Sequence, residues 1–354
     1  MTDLEKLCSR VTEAADCAVI TDDVNRRYFT AMKSSAGTLV VFPEKAYFII
    51  DFRYIEKAKK TVTACEVILQ DKLYEQINSL IEKHGAKTVS VNADTCTLSE
   101  LIAYQQKLNA EVIADTKLAE IIREIRTVKS QEQIDKIIKA QRIAEKGFAH
   151  MLDFIKVGRT EKEIQLELDY YMLKNGAEAL SFDTIALSGS NTSLPHGVPS
   201  DKKVESGEFV LMDFGGTYDG WHSDMTRTVC VGKPSDKMKS VYETVLNAQL
   251  SALDAVKAGM SGKELDKIAR DIITDAGYGD NFGHSLGHGV GVEIHESPYA
   301  SPRREDILPE NSIVTVEPGI YLEGKFGVRI EDFVVVTENG CINMTKAPKE
   351  LICL

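Results

Sequence analysis

The sequence predicts two domains: a small α/β domain over residues 1–124, and an α+β domain over residues 125–354 with a pseudo-twofold internal repeat. Three observations predict this. Short apolar segments alternate with helical stretches from Cys17 to about Ala114. A long, charged, helical stretch follows, from about Leu118 to Ile155. Beyond it, a pattern of residues recurs at an offset of 101 positions, and a length of 354 residues suits two domains better than one.

The first domain is predicted to contain a sheet flanked by helices. Apolar runs at 37–42 and 46–51 flank Pro43-Glu44-Lys45 and predict a β-hairpin. Helices are expected at 53–60 and 73–83, and further strands at 62–69 and 88–92. Residue types that catalyse reactions do not cluster in this part, so the chemistry is expected in the second domain.

The internal repeat consists of a helix, a glycine and a second, capped helix. In the first copy Thr160 can cap the second helix with Glu163 in the capping-box position, and Ser261 can do the same in the second copy. Each second helix is expected to stop at a glycine that adopts a left-handed cap. The matches at this offset are Leu152-Asp153 with Leu253-Asp254, Lys156 with Lys257, Gly158 with Gly259, Thr160 with Ser261, Lys162-Glu163 with Lys263-Glu264, and Gly176 with Gly277.

Each half then carries two acids on a predicted hairpin. An apolar run at 209–212 ends at Asp213, and Asp224 lies on a strand predicted at 221–231. In the second half an apolar run at 313–316 leads to Glu317, and Glu331 lies on a strand predicted at 326–336. A pseudo-twofold axis between the halves would bring all four carboxylates together.

Four converging carboxylates require compensating charge. Two unit charges about 4 Å apart repel by roughly 4 kcal/mol at an effective dielectric constant near 20. Either the acids are protonated or cations bind, and two divalent ions would neutralise four carboxylates, as in dinuclear hydrolases. Any one of these acids could instead be a solvated turn residue with no metal nearby. That alternative does not explain why the acids occur as two matched pairs.

Histidines add nitrogen ligands to this set. His284, His288 and His295 fall within twelve residues among glycines, while His196 and His222 stand alone. Imidazole suits zinc, manganese and cobalt. The stretch has no second histidine to complete a HExxH zinc motif, and the chain lacks the GxSxG elbow of serine hydrolases.

Together these motifs resemble the pita-bread metallopeptidases, the family of methionine aminopeptidase, aminopeptidase P and prolidase. The N-terminal part also fits, because Asp51-Phe52-Arg53-Tyr54 resembles the creatinase/prolidase N-terminal domain, which methionine aminopeptidase lacks. The resemblance therefore points to the Xaa-Pro branch, which cleaves the bond before proline. The motifs that carry it are Asp213-Phe214-Gly215-Gly216, the segment Ser223 to Thr228, the segment His284 to His295, Glu317-Pro318-Gly319 and Arg329-Ile330-Glu331-Asp332.

The resemblance implies a role for each matched residue. It implies two divalent ions, with manganese preferred and cobalt or zinc as alternatives, and a metal-bridging water as the nucleophile. Arg329 and Thr226 would support the ligands. Metal ligands would be Asp213, Asp224, His288, Glu317 and Glu331. Residues that act on the substrate would be His295, His196, His284, Glu317 and Glu331.

The substrate subtype depends on a departure from the family pattern. Many prolidases have an arginine after the proline of the His-Glu-x-Pro stretch, where it can hold a dipeptide carboxylate, but Tyr299 occupies that position here. Arg303 and Arg304 follow and are possible substitutes. The pattern thus favours aminopeptidase P-like action on longer peptides, with an Xaa-Pro dipeptidase as the alternative. An inactive binding protein or a metal-free creatinase-like hydrolase on the same fold fits less well, because every ligand is present.

Composition limits the partners and the compartment. The net charge of −12 disfavours binding to a nucleic acid backbone, and no apolar run is long enough for a membrane span. Seven cysteines without a CxxC pair, and an N-terminus without an apolar signal segment, predict reduced thiols in the cytoplasm. The resemblance implies proline-containing peptides as substrates and a homodimer.

Overall fold

In the computed structural model, which describes residues 1–354, the chain forms two compact units, Met1–Arg126 and Thr127–Leu354. The single helical stretch predicted near the domain boundary is two helices, α6 (Lys117–Thr127) and α7 (Gln131–Phe154). The break occurs because the Ser130 side chain accepts a hydrogen bond from the backbone N–H of Gln133 and caps the second helix. The boundary at residue 124 stays a prediction and lies inside α6.

The first unit is one six-stranded sheet with helices between its strands. The strand order is β4-β3-β2-β1-β5-β6, in which β2 runs antiparallel to β1 and β3 and the other pairs are parallel. The predicted hairpin is confirmed as β2 and β3. The strands are β1 (Cys17–Ile20), β2 (Thr38–Val41), β3 (Ala46–Ile50), β4 (Glu66–Leu69), β5 (Thr88–Val91) and β6 (Glu111–Ile113). The other helices are α1 (Asp3–Arg10), α2 (Asp23–Thr30), α3 (Ile55–Thr61), α4 (Leu73–His84) and α5 (Leu98–Lys107).

The second unit repeats a pair of helices, as the sequence predicts. After α7 comes α8 (Glu161–Lys174), and the second pair is α9 (Asp236–Ala255) and α10 (Gly262–Asp275). The bounds of α10 are those of α8 shifted by 101 residues. Both have complete capping boxes, from Thr160 and Ser261. Gly176 and Gly277 follow them with φ of 107° and 84°, where glycine avoids the steric penalty of a side chain.

The strands of the second unit also occur in two matching sets. The first half has β9 paired antiparallel with β8 and β12, and β10 paired with β7 and β11; the second half pairs β15 with β18, and β16 with β17. The first set is β7 (Ala179–Leu180), β8 (Ile185–Ser188), β9 (Glu208–Phe214), β10 (Gly216–Tyr218), β11 (Trp221–His222) and β12 (Met225–Val231). The second set is β13 (Gly287–Gly289), β14 (Glu296–Ala300), β15 (Ile313–Val316), β16 (Gly319–Leu322), β17 (Phe326–Arg329), β18 (Asp332–Thr337) and β19 (Gly340–Asn343).

Two strands predicted as continuous are each divided in the structure. The segment 221–231 consists of β11 and β12, which lie in different sheets and are separated by Ser223 and Asp224. The segment 326–336 is divided in the same way into β17 and β18, separated by Ile330 and Glu331. In both halves the chain changes its hydrogen-bonding partner strand at this break, so the prediction of one continuous strand is wrong in each segment.

The core of the second unit follows the division into halves. One apolar cluster joins α7 and α8 to β9 and β12, and includes Phe148, Leu168 and Phe214. The other joins α9 and α10 to the second set of strands, and includes Tyr242 and Val316. None of the helices combines the length and apolar character that crossing a lipid bilayer requires.

Candidate metal centre

Two of the predicted acids lie at the breaks between consecutive strands. Asp224 lies between β11 and β12, where the Ser223 hydroxyl bonds with the backbone of Gly216. Glu331 lies between β17 and β18 in the second half. Because neither acid is in a regular ladder, both side chains can turn inward, and both are buried.

The structure brings all five predicted ligands together. Ligand atoms of Asp224, His288 and Glu331 lie within 4.8 Å of one another. The Nε2 atom of His288 is 3.3 Å from Glu317 Oε1 and 3.6 Å from Asp224 Oδ2. Asp213 lines the same cleft of about 800 Å³, together with the other four.

Burial and mutual repulsion act on the acids. Burial, and then the Asp213 carboxylate, raise the pKa of Asp224 well above its ordinary value. Burial, and then the Asp224 carboxylate, do the same to the pKa of Glu331, and burial also raises the pKa of Asp213. The charged forms of these groups are therefore unfavourable unless positive charge lies nearby.

His288 and Glu317 form a pair within this cluster. Although burial opposes both shifts, the hydrogen bond between them raises the pKa of His288 to about 9 and lowers that of Glu317 to about 2. His288 Nδ1 lies 3.0 Å from the carbonyl oxygen of Gly289, which can only accept, so Nδ1 carries a proton. With this proton on Nδ1, Nε2 faces the acids and is the nitrogen that would bind a metal after losing its own proton.

The residues present fit a pair of divalent cations. Carboxylate oxygens and an imidazole nitrogen are donors that manganese, cobalt and zinc accept. In addition, Asp213 Oδ1 is buried and accepts no hydrogen bond, so the site contains an acceptor without a donor from the protein. A cation among these groups would satisfy that atom and lower the cost of ionising the acids.

The predicted supporting residues form a network that holds two of the acids. The Arg329 guanidinium donates to Asp213 Oδ2 at 2.5 Å and to the hydroxyl of Thr226 at 3.0 Å. Thr226 in turn donates to Glu331 Oε2 at 2.8 Å. Arg329 also donates to the hydroxyl of Tyr321 at 2.7 Å. Sequence reasoning missed Tyr321, because a lone tyrosine on an apolar strand is usually a core residue.

Tyr321 connects this network to His284. His284 Nδ1 lies 2.8 Å from the carbonyl oxygen of Ser285, so it carries the proton and Nε2 accepts from the Tyr321 hydroxyl at 3.0 Å. Burial lowers the pKa of His284. The imidazole is therefore neutral and fixed in orientation at the edge of the cleft.

The other two predicted histidines line the same cleft. The ring of His295 lies 4.3 Å from that of His288 in an edge-to-face arrangement. Burial lowers the pKa of His295. His196 lies on the loop between β8 and β9, and His222, the fifth histidine noted in the sequence, lies outside the cleft lining.

Buried acids hold the histidine loops. Glu161, at the start of α8, accepts hydrogen bonds from Ser188, Asn191 and Ser200, which flank the loop of His196. Asp266 on α10 accepts from the backbone N–H of Leu286, and from Arg270, whose guanidinium also donates to the carbonyl oxygen of His284. The sequence gives no signal for these residues, since each lies on an ordinary amphipathic helix.

Comparison with known proteins places the chain in a family. Residues 135–338 match the model of metallopeptidase family M24, and residues 4–128 match the creatinase/prolidase N-terminal domain. An Xaa-Pro dipeptidase of Pyrococcus furiosus is 39% identical over 352 residues, covering 99% of both chains. A solved Xaa-Pro dipeptidase from Bacillus anthracis has a TM-score of 0.96 at 42% identity, covering 99% of both chains. A solved X-Pro aminopeptidase from Thermotoga maritima has a TM-score of 0.91 at 38% identity, covering 96% of this chain and 98% of its own.

The chain thus belongs to metallopeptidase family M24, in the branch that contains the Xaa-Pro peptidases and carries the creatinase/prolidase N-terminal domain. It is a metallopeptidase, and the resemblance noted from the motifs is confirmed. So is the fold class: an α/β domain followed by the α+β catalytic domain of that family.

Proposed function

We propose that this protein is an Xaa-Pro dipeptidase that uses two divalent metal ions held by Asp213, Asp224, His288, Glu317 and Glu331. One observation carries the proposal: these five groups and three histidines line a single cleft in the second unit. Bound there, the cations supply Lewis acidity and lower the pKa of a coordinated water. Manganese is the proposed metal, with cobalt and zinc as alternatives.

The chain's own groups would orient the peptide and move protons. His295 lies beside His288, so its ring can donate to the carbonyl oxygen of the bond that breaks. His196 and His284 line the cleft at other points and can hold the rest of the substrate. The leaving nitrogen of proline needs a proton, and Glu331, whose pKa burial raises, and Glu317 are the carboxyl groups placed to carry it.

Recognition of proline requires an apolar surface. The proline nitrogen lacks an N–H, so a peptidase cannot hold the residue by a strand-like hydrogen bond at that position. Several apolar side chains share the cleft with the histidines and can pack on the ring. These are Phe182, Ile185, Pro195, Val198 and Tyr299.

The Xaa-Pro dipeptidases of Pyrococcus furiosus and Bacillus anthracis, at 39% and 42% identity, favour dipeptidase activity over the aminopeptidase P-like activity that the sequence predicts. A dipeptide presents its carboxylate close to the cleaved bond, so the cleft needs a cation there. Arg303 and Arg304 are outside the cleft lining, and Arg304 instead packs on the ring of Tyr299 and pairs with Asp306. Lys162 does line the cleft. Its amine donates to the amide of Gln165 at 2.8 Å, and this neutral partner does not neutralise the charge of the lysine. Lys162 is therefore the proposed ligand of the substrate carboxylate.

The function is tested by comparing Ala-Pro with Ala-Pro-Ala after loading the purified protein with manganese, cobalt or zinc. We expect metal-dependent cleavage of Ala-Pro and little cleavage of the tripeptide. Efficient cleavage of the tripeptide would instead support aminopeptidase P-like activity. No cleavage with any metal would favour an inactive member of the fold.

The proposed carboxylate ligand has a matched control. Lys162→Met removes the cation, and Lys263→Met makes the same change at the equivalent position of the second copy, where the lysine pairs with Glu305 outside the cleft. We expect the first to raise KM for Ala-Pro about tenfold, a loss of about 1.4 kcal/mol, with little change in kcat. The second should leave both constants unchanged. Equal KM values in the two variants would contradict the assignment.

Two further features belong to the proposal. Seven free cysteines, three of them buried, suit a reducing compartment and support a cytoplasmic location. A homodimer is proposed from the resemblance to the family, and light scattering of the purified protein tests it.

A further inference from the structure

A buried ion pair lies behind the loop that carries His295. The amine of Lys129 donates to Glu296 Oε1 at 2.6 Å, and these side chains are 0% and 7% exposed. Lys129 is in the short segment between α6 and α7, far from Glu296 in sequence. Its amine also donates to the carbonyl oxygen of Thr127 at 3.2 Å. The pair is outside the cleft lining, and the chemistry described above does not use it.

The loop between β13 and β14 is folded around the carboxylate of this pair. A Cβ atom on Gly291 would lie 2.1 Å from Glu296 Oε1, so the carboxylate packs directly against the backbone of the loop and a side chain at Gly291 would displace it. The backbone N–H of Glu293 lies 3.3 Å from Glu296 Oε2, and that of Gly291 donates to the carbonyl oxygen of Glu293. The position of Glu296 therefore determines the path of the loop.

His295 immediately precedes Glu296, at the start of β14. Neighbouring residues of an extended chain point to opposite faces, and here Glu296 is buried while His295 is exposed to the cleft. A rotation that moved the carboxylate would move the imidazole away from His288. No hydrogen bond holds the His295 ring itself as the bonds of His284 hold that ring, so its orientation depends on the backbone.

A buried ion pair by itself contributes little to the net stability of the folded state. Removing two charges from water costs about as much as their attraction returns, and apolar replacements are often as stable. Such a pair does fix geometry, because each charge must stay with its partner. It is thus suited to holding an exposed loop in one conformation.

We propose that Lys129 is a positioning residue for the peptidase reaction: through Glu296 it holds the loop between β13 and β14 so that His295 faces the cleft beside His288. The inference rests on the proposed function for its kinetic consequence. Its structural part, that Lys129 restrains this loop, does not depend on the substrate.

The test uses the full chain with three variants. Lys129→Met removes the buried amine that donates to Glu296, whereas Lys129→Met with Glu296→Gln removes both charges of this pair. Lys263→Met is the control, because it breaks an exposed pair whose side chains are 53% and 77% exposed. We measure kcat and KM for Ala-Pro with manganese, bound manganese per chain, the unfolding temperature, and amide hydrogen exchange of the segment 289–296.

We expect the double variant to recover most of the unfolding temperature that the single variant loses, and to bind manganese normally. Its kcat should nevertheless be lower by about tenfold to a hundredfold, the range for loss of a residue that orients an active-site group from behind, with KM nearly unchanged. Exchange of segment 289–296 should be faster in both Lys129 variants than in the control. A merely structural role predicts instead that kcat recovers with stability.

Two results would overturn the proposal. One is a folded Lys129 variant with the parent kcat; the other is unchanged exchange in the segment 289–296. If the parent chain fails to cleave Ala-Pro with any metal, the proposed function fails, but the exchange measurement still decides whether Lys129 restrains the loop.

Discussion

Asp224 is the acid whose charge the metal-free protein tolerates poorly. It is buried, and the carboxylate of Asp213 also raises its pKa. Its negative charge is needed only when a cation is bound. Removal of that charge should therefore weaken metal binding and stabilise the metal-free chain.

We therefore predict that Asp224→Asn abolishes metal-dependent hydrolysis while making the metal-free protein more stable. Each kcal/mol gained should raise the unfolding temperature by about 2–4 °C. Calorimetry in chelator, with and without added manganese, measures both effects. A variant that is less stable than the parent in chelator would contradict this account of the cluster.

The ionisation of His288 predicts how metal binding depends on pH. In the metal-free protein the pKa of His288 is raised to about 9, and the pKa values of Asp224 and Glu331 are also raised. Metal ligands must lose their protons before they bind. Manganese affinity should thus increase from about pH 6 to about pH 9, with proton release that calorimetry in two buffers can detect. An affinity independent of pH would mean that His288 is not a ligand.

At the scale of elements, strand β13 shows how closely the backbone packs beside a proposed ligand. A Cβ atom on Gly287 would lie 1.9 Å from the carbonyl oxygen of Thr315, while one on Gly283 would meet no atom within 4 Å. The Thr315 hydroxyl accepts from the backbone N–H of His288 and donates to Glu317. The contact at Gly287 therefore sets the positions of two proposed ligands.

Gly287→Ala should destabilise the protein by about 1–3 kcal/mol and reduce metal affinity, because the strands must separate. Gly283→Ala, four residues earlier, should change stability by no more than about 0.5 kcal/mol. Urea unfolding and metal titration of the two variants provide the comparison. Equal effects would show that the close approach to Thr315 is not limiting.

The segment 188–200 gives a prediction for α8. Glu161 is fully buried and accepts hydrogen bonds at both oxygens. In Glu161→Gln one of those oxygens becomes an NH2 group, which would face the Ser200 hydroxyl and N–H. We expect a loss of about 1–3 kcal/mol in stability and a raised KM, since His196 lies on this segment. Glu163→Gln, at an exposed capping position of the same helix, is the control, and an unchanged KM in Glu161→Gln would contradict the role.

Much of this element-level organisation could be predicted from the sequence, because helix caps and repeats are local signals. The ends of α8 and α10 follow from Thr160, Ser261 and the glycines after them. The breaks at Asp224 and Glu331 could not be predicted, since the residues on both sides have strand character. Only the exchange of partner strands in the folded protein determines where regular pairing stops.

The candidate site shows the same division. The four acids could be predicted because carboxylates are rare on apolar strands and here occur in two matched pairs, whereas His288 was distinguished from the neighbouring histidines only by the resemblance to the family. Tyr321, Lys162 and Lys129 were missed, because each is an ordinary residue for its element until long-range contacts give it a role. The choice between dipeptidase and aminopeptidase activity depends on Tyr299, which stands where many prolidases have an arginine. Whether another cation replaces that arginine follows only from the residues that line the cleft.

At the scale of the whole molecule, the two halves of the second unit should be linked through bound metal. Asp213 and Asp224 come from the first half, and His288, Glu317 and Glu331 from the second. A ligand present at a hundred times its dissociation constant stabilises the folded state by about 2.7 kcal/mol. Chelation should lower the unfolding temperature and speed amide exchange in β12 and β18 together. Faster exchange in one half alone would show that the halves do not share the cations.

A polypeptide with only one of the two halves would contain a single pair of acids. To surround two cations it would have to associate with a copy of itself, and both copies would then be constrained to the same sequence. Duplication and fusion remove that constraint, because a gene that encodes both copies can change each one separately. In this chain the halves differ in that way, because only the second contributes an imidazole, His288, to the proposed ligands. The repeated strands thus supply the four carboxylates, and the difference between the halves supplies the imidazole.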